Sequence, residues 1–183
     1  MLLSSKKINT EFETVAFKLL DVSNKLVSLN DISKKNGIVL AFICNHCPYV
    51  KDIISRIVYD FDILQSLDVG VAAIMPNDTE QYPEDSYEKM KEFALKNKFS
   101  FPYLYDKDQS VAKTYQAVCT PDFFGFNKSN KLFYRGRLDN IKFQEKNKDR
   151  EPNLINAFKQ MLKNNSIVEN QISSIGCSIK WKR

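Results

Sequence analysis

Long apolar runs are missing from this chain of 183 residues. No stretch approaches the ~20 consecutive apolar residues that span a bilayer, so no membrane partner is expected. The start, MLLSSKKINTEF, has neither a continuous apolar segment behind its lysines nor a small-residue cleavage site, which argues against a secretory signal. Glycine and proline are scarce, at five and six residues, and form no flexible or stiff linker. Repeats and low-complexity tracts are also lacking, so one domain over 1–183 is expected. Basic and aromatic residues never interleave into a patch, which speaks against a nucleic-acid partner. The net charge of +5 comes from lysines scattered among acids, with one dense cluster, KWKR, at the end. These absences point to a cytoplasmic location.

What the chain does have is a globular balance, with 43% hydrophobic and 27% charged residues. Val15 to Leu29 reads as two short strands around the turn DVSNK. GIVLAFI (37–43) is a continuous apolar run of strand length, as in a strand buried on both faces. After Pro48, apolar residues recur at Val50, Ile53, Ile54, Ile57, Val58, Phe61 and Leu64, one face of a helix reaching about Leu67. VGVAAIM (69–75) then completes a βαβ unit. A helix is predicted to open at Asp85, with Glu88 completing its cap, and to run toward Asn97. FPYLY is a short strand, and a short helix follows behind Asp106. DFFGF and KLFYRG form a hairpin around NKSN, and Pro152 opens a last amphipathic helix. The polar stretch 165–183 reads as a mobile tail. This order predicts an α/β protein with a mixed sheet covered by helices.

The chemistry-bearing residues are four cysteines, Cys44, Cys47, Cys119 and Cys177, and the chain's one histidine, His46. A close cysteine pair in a reducing compartment is more often catalytic or metal-binding than a staple. The pair follows the buried strand, at the carboxyl end where open α/β sheets place their sites. A thiol attacks as thiolate, and helix amino termini favour that anion. A second thiol two residues away can then resolve a mixed disulfide. Pro48 suits the first helical position, which would make Cys47 the cap and the better nucleophile. Starting the helix at Cys44 would instead bury Pro48 where a helical bond is needed. As a cation, His46 would favour the neighbouring thiolate.

Taken together, VLAFICNHCPYVK, VGVAAIMPND, YPEDSYEKMKEFA, FPYLYDKDQSVAKTYQAVCTPDFFGF, LFYRGRLDN and GCSIKWK resemble the thioredoxin-like redoxins. More narrowly, they resemble the peroxiredoxin-like branch related to alkyl hydroperoxide reductase and thiol-specific antioxidant proteins. The resemblance implies a thioredoxin fold with an N-terminal hairpin extension (1–36), an α/β insertion and a C-terminal tail (165–183). It places Thr120-Pro121 as the cis-proline loop that docks thiol substrates, with Pro48 and Tyr49 beside the cysteines. It implies thiol–disulfide oxidoreduction on a protein or small-molecule thiol, with an external thiol reductant and no cofactor beyond the redox-active disulfide. The alternative it offers is a peroxidase, with Cys47 attacking hydroperoxide and Cys44 resolving. Against that pattern, Cys44 stands where peroxiredoxins carry threonine, Leu40 where they carry proline, and no arginine precedes TPDFF. GIVLAFI also lacks the acid that thioredoxins bury there.

Two other readings compete. Four thiolates would hold a structural zinc, although Cys119 and Cys177 are no second close pair. A redox-inert scaffold would bind partners through the same surface and tolerate serine at both Cys44 and Cys47. Cys119 reads as a small buried side chain or, alternatively, as an accessory thiol that borders the site and joins a relay. Cys177 is the candidate for an accessory thiol, if the tail folds back onto Cys119 or the active pair. Phe123 and Trp181 are the other aromatics placed near the site, and Arg135, Arg137 and Asp139 carry no assigned role.

Overall fold

The computed structural model describes residues 1–145 and 149–182; Arg183, the last residue of the basic KWKR cluster, lies outside them. The chain opens with β1 (Leu2–Ser4). A hairpin of β2 (Lys18–Asp21) and β3 (Leu26–Ser28) then leads into the single turn α1 (Leu29–Ile32). Strand β4 (Ile38–Phe42) runs into α2 (Pro48–Ser66), which returns the chain to β5 (Gly70–Met75). A 3-10 turn (Pro83–Asp85) precedes α3 (Tyr87–Lys96), β6 (Tyr103–Tyr105) and α4 (Ser110–Thr114). Then come β7 (Cys119–Thr120), β8 (Asp122–Phe126), β9 (Leu132–Gly136), α5 (Asn153–Asn164) and β10 (Ile175–Ser178).

Seven strands form the main sheet in the order β3-β2-β6-β5-β4-β8-β9. β4, β5 and β6 are parallel neighbours, and the outer pairings are antiparallel. Every residue of β4 and β5 is buried, because the sheet is covered on both faces. The pleat sorts them: Val39 and Ala41 join the core with Ile57 and Phe61 of α2 and Phe158 of α5. Leu40 and Phe42 join the other, with Leu104, Tyr115 and Phe124. Each fully buried large side chain contributes about 1.5–3 kcal/mol, so α2 is pinned firmly along its inner face. No helix among the described residues is long and apolar enough to cross a membrane.

Three expectations need correction. Of the predicted tail 165–183, the described part 165–182 is not loose: β10 is the centre of a second, three-stranded sheet, β1-β10-β7. Leu2 pairs with Cys177 on one side, and Cys177 with Thr120 on the other. The extension 1–36 therefore supplies more than a hairpin, since β1 closes one edge of this small sheet. Third, α3 does not open at Asp85. Ser86 is its cap residue, and the Asp85 carboxylate is drawn instead to backbone N–H groups across the chain.

Backbone and side-chain bonds fix both flanks of β10. On one flank the Ser174 hydroxyl donates to Gly136 O (2.6 Å), and its N–H donates to Ser5 Oγ (3.0 Å). On the other, Lys180 N–H donates to Asn77 Oδ1 (2.9 Å), while Lys180 O accepts from Asp78 N–H and from buried Gln109 Nε2 (2.7 Å).

Candidate active site

Where β4 ends, the chain must leave the sheet and begin α2 within five residues. Cys47 is the cap residue with extended backbone (φ −61°, ψ 121°), and Pro48 stands in the first turn. No side chain caps the helix, so its free N–H groups and partial positive charge face the cysteine end. The Cys44 and Cys47 residues are both 0% exposed. The Cys44 thiol lies 3.3 Å from Thr120 Oγ1, and the Cys47 thiol donates to Thr120 O at 3.2 Å. The Thr120-Pro121 bond is cis, as the resemblance implied, and this turn faces the pair.

The two thiols are pushed apart in acidity. Donation from the Cys44 thiol, joined by the thiol and backbone N–H of Cys177, outweighs burial and lowers Cys47 to about 5. Burial, its bond to Cys47 and the charge of Asp85 hold Cys44 well above the range of a free thiol. The site therefore pairs one acidic sulfur with one that keeps its proton, the division that disulfide exchange requires. The main causes of the lowering are thiol and backbone donors. Arg135 is committed elsewhere, to Asp122 (2.9 Å), Gln116 O (2.8 Å) and the face of Phe124 (4.3 Å).

The dipeptide between the cysteines is held by a residue that sequence reading placed in the wrong role. Asp85, 0% exposed, accepts from Asn45 N–H (2.8 Å), His46 N–H (3.2 Å) and Asn77 Nδ2 (2.8 Å). His46 Nδ1 lies 2.6 Å from the same carboxylate, and the ring stacks on Tyr82. This bond is the main cause that raises the imidazole above its usual value. The signal in the sequence was DxxE, which also reads as a cap; nothing local says that Asp85 is buried. The 3-10 turn after β5 thus places a buried carboxylate within 4.8 Å of Cys44 Sγ.

Cys44 Sγ, a ring nitrogen of His46 and a carboxylate oxygen of Asp85 lie within 4.8 Å of one another. They are the one group of three potential metal donors among the described residues. His46 and Asp85 already bond to each other, while the Cys44 thiol is turned to Thr120. The four thiols do not converge as a zinc set. Cys119 is buried in β7, its thiol directed to Pro121 O (3.8 Å), and burial pushes it far up.

Tyr49, stacked on Phe143 (4.4 Å), lines a cavity of about 420 Å³ with Ile53, Pro121, Phe123 and Arg137. Trp181 instead meets Lys113, 5.9 Å from its ring centroid. A larger hollow of about 550 Å³ between β2 and α4 contains none of the thiols. Arg137 bonds Asn153 (2.8 Å), and Asp139 joins Arg56 (2.8 Å) and Arg150 (2.7 Å), all structural ties.

Comparison with known proteins adds the following. No curated protein matches the sequence. The crystal structure of an uncharacterised conserved protein from Geobacillus kaustophilus is 39% identical with a TM-score of 0.93, over 100% of this chain and 97% of that one. A hypothetical protein from Sinorhizobium meliloti 1021 is 33% identical with a TM-score of 0.92, over 98% of each chain. The thioredoxin domain of a thiol-disulfide oxidoreductase from Bacteroides vulgatus superimposes with a TM-score of 0.65 at 16% identity. That match covers 86% of this chain and 100% of the other, and it shows the thioredoxin-like fold. The model of the AhpC/TSA family matches residues 12–135, so the chain belongs to the AhpC/TSA family.

Proposed function

We propose that the protein is a thiol–disulfide oxidoreductase in which Cys47 is the attacking sulfur and Cys44 the resolving one. The observation that carries this reading is the seating of the Cys44 and Cys47 sulfurs at the mouth of α2, both against Thr120 of the cis Thr120-Pro121 turn. The Cys47 thiolate attacks a substrate disulfide, forms a mixed disulfide and expels one substrate thiolate, which takes a proton. Cys44 then attacks Cys47 Sγ and gives up its proton to the adjoining Asp85–His46 pair. The Cys44–Cys47 bond closes and the second substrate thiol leaves. Two electrons pass from protein to substrate, and an external thiol reductant restores the pair; run backwards, the same steps oxidise a dithiol. An acidic Cys47 stabilises the reduced protein and biases it toward the oxidising direction. No metal or organic cofactor enters these steps. The cavity beside Pro121 offers an apolar wall for the substrate.

Cys44→Ser should still let Cys47 react with a small disulfide substrate but never close a Cys44–Cys47 bond, and Cys47→Ser should abolish reaction. Mixed disulfide forming on Cys44 in the Cys47→Ser protein would reverse the assignment.

Membership of the AhpC/TSA family favours a second reading, peroxide reduction. Cys47 would take one oxygen from a hydroperoxide, releasing the alcohol, and Cys44 would condense with the sulfenic acid to expel water. Peroxide added to reduced protein, with thiol loss followed in time, separates the two. Stoichiometric oxidation much faster than that of free cysteine means a peroxidase; a rate like that of free cysteine leaves disulfide exchange.

A further inference from the structure

We infer that Cys177 is a third redox thiol, which from β10 exchanges with the Cys44–Cys47 disulfide and presents the oxidising equivalent at the surface. The inference rests on the redox reading of Cys44 and Cys47 given above.

Geometry brings it there. Cys177 pairs with Thr120, the residue whose carbonyl accepts from Cys47, and Cys177 is among the causes that lower Cys47. The chain's own strand thus occupies the edge against which an extended thiol substrate would lie. The neighbouring Gly176 permits this seating: a Cβ there would lie 2.0 Å from Thr120 O and 3.0 Å from Pro121 Cδ. With both flanks of β10 tied down, displacement of the strand would break several backbone bonds. Access points the same way. Cys44 and Cys47 are wholly buried, whereas Cys177 is only partly so. Of the three residues it is the most accessible to an outside thiol.

The chemistry closes. In the reduced protein, burial and the bond to Cys47 push Cys177 up to about 11, so there it serves as a donor to the Cys47 thiolate. Once Cys47 is in a disulfide, that second cause is gone. Cys177 then attacks Cys47 Sγ, the Cys44–Cys47 bond breaks, the Cys47–Cys177 bond forms, and the proton lost by Cys177 passes to Cys44. There is no net oxidation. A substrate dithiol next attacks Cys177 Sγ and expels Cys47 as thiolate; an acidic thiol leaves fast. Its second thiol then releases Cys177 and departs as a disulfide, so the substrate is oxidised and the protein reduced.

The test is disulfide mapping of the full chain after limiting oxidised glutathione, acid quench and alkylation. Wild type should yield Cys44–Cys47 and Cys47–Cys177 peptides, and Cys44→Ser should yield Cys47–Cys177 in place of a lasting glutathione adduct. Cys177→Ser should keep the Cys44–Cys47 peptide and lose oxidation of a dithiol peptide. Gly176→Ala, which retains every thiol, should lose the Cys47–Cys177 peptide. Finding Cys44–Cys47 alone in wild type, with Cys177 free and glutathione retained on Cys47 in Cys44→Ser, overturns the relay and spares the parent reading. Finding no intramolecular disulfide in any variant overturns both.

Discussion

Asp85 gathers donors from three residues into one carboxylate, and the conformation of the Asn45–His46 segment depends on it. Its charge acts in two directions, raising His46 chiefly by a direct bond and raising Cys44 through space. Asp85→Asn keeps the shape and removes the charge. The His46 imidazole should then titrate lower, nearer its ordinary 6.5, and Cys44 should lose part of its elevation. Because the chain has a single histidine, the ring resonance can be followed by NMR without assignment. An unchanged midpoint would deny the pairing. At this scale the sequence was half legible. The pair and Pro48 are local patterns and could be read directly, whereas Thr120-Pro121 was placed only by the family resemblance. Asp85 could not, since the same four letters satisfy a helix cap, and its burial is decided by residues about forty positions away.

Strands and helices were legible wherever a run of residues carries its own period or burial. β4, α2, β5, the β8–β9 hairpin and α5 announce themselves this way. β1 and β10 do not, being three and four residues long, with no alternation to separate them from loop. They are strands because they meet each other and β7 across the whole length of the chain. The short entry to β4 makes a separate demand. Gly37 has φ of +109°, and a Cβ there would lie 2.1 Å from Phe126 O. Gly37→Ala combines a disfavoured backbone with a clash against β8, and should cost about 1–3 kcal/mol. Denaturant unfolding measures this, and a loss below that range would show that the β4 entry relaxes freely.

For the molecule as a whole, the site makes stability depend on pH. Cys47 in the folded reduced protein is lowered from 9.0 to about 5. Between those values the unfolded chain holds a proton that the folded one has released, so stability rises with pH. The contribution is complete above the unfolded value and is lost as pH falls through about 5. Asp106 and Asp122, raised by burial to about 6 and about 7, act in the opposite sense. The effect is therefore isolated by comparing reduced wild type with Cys47→Ser. The difference in unfolding free energy should grow from pH 5 toward pH 9, and a flat difference would mean that Cys47 is an ordinary thiol.

The meeting of β1 with β10 has a practical consequence. Met1 O accepts from Ser178 N–H at 2.8 Å, so any peptide fused ahead of Met1 emerges at the rim of the sulfur cluster. A purification tag carrying histidines or cysteine there would sit close to Cys177 as a local ligand or reagent. Kinetics measured on such a fusion would describe the appendage as much as the protein.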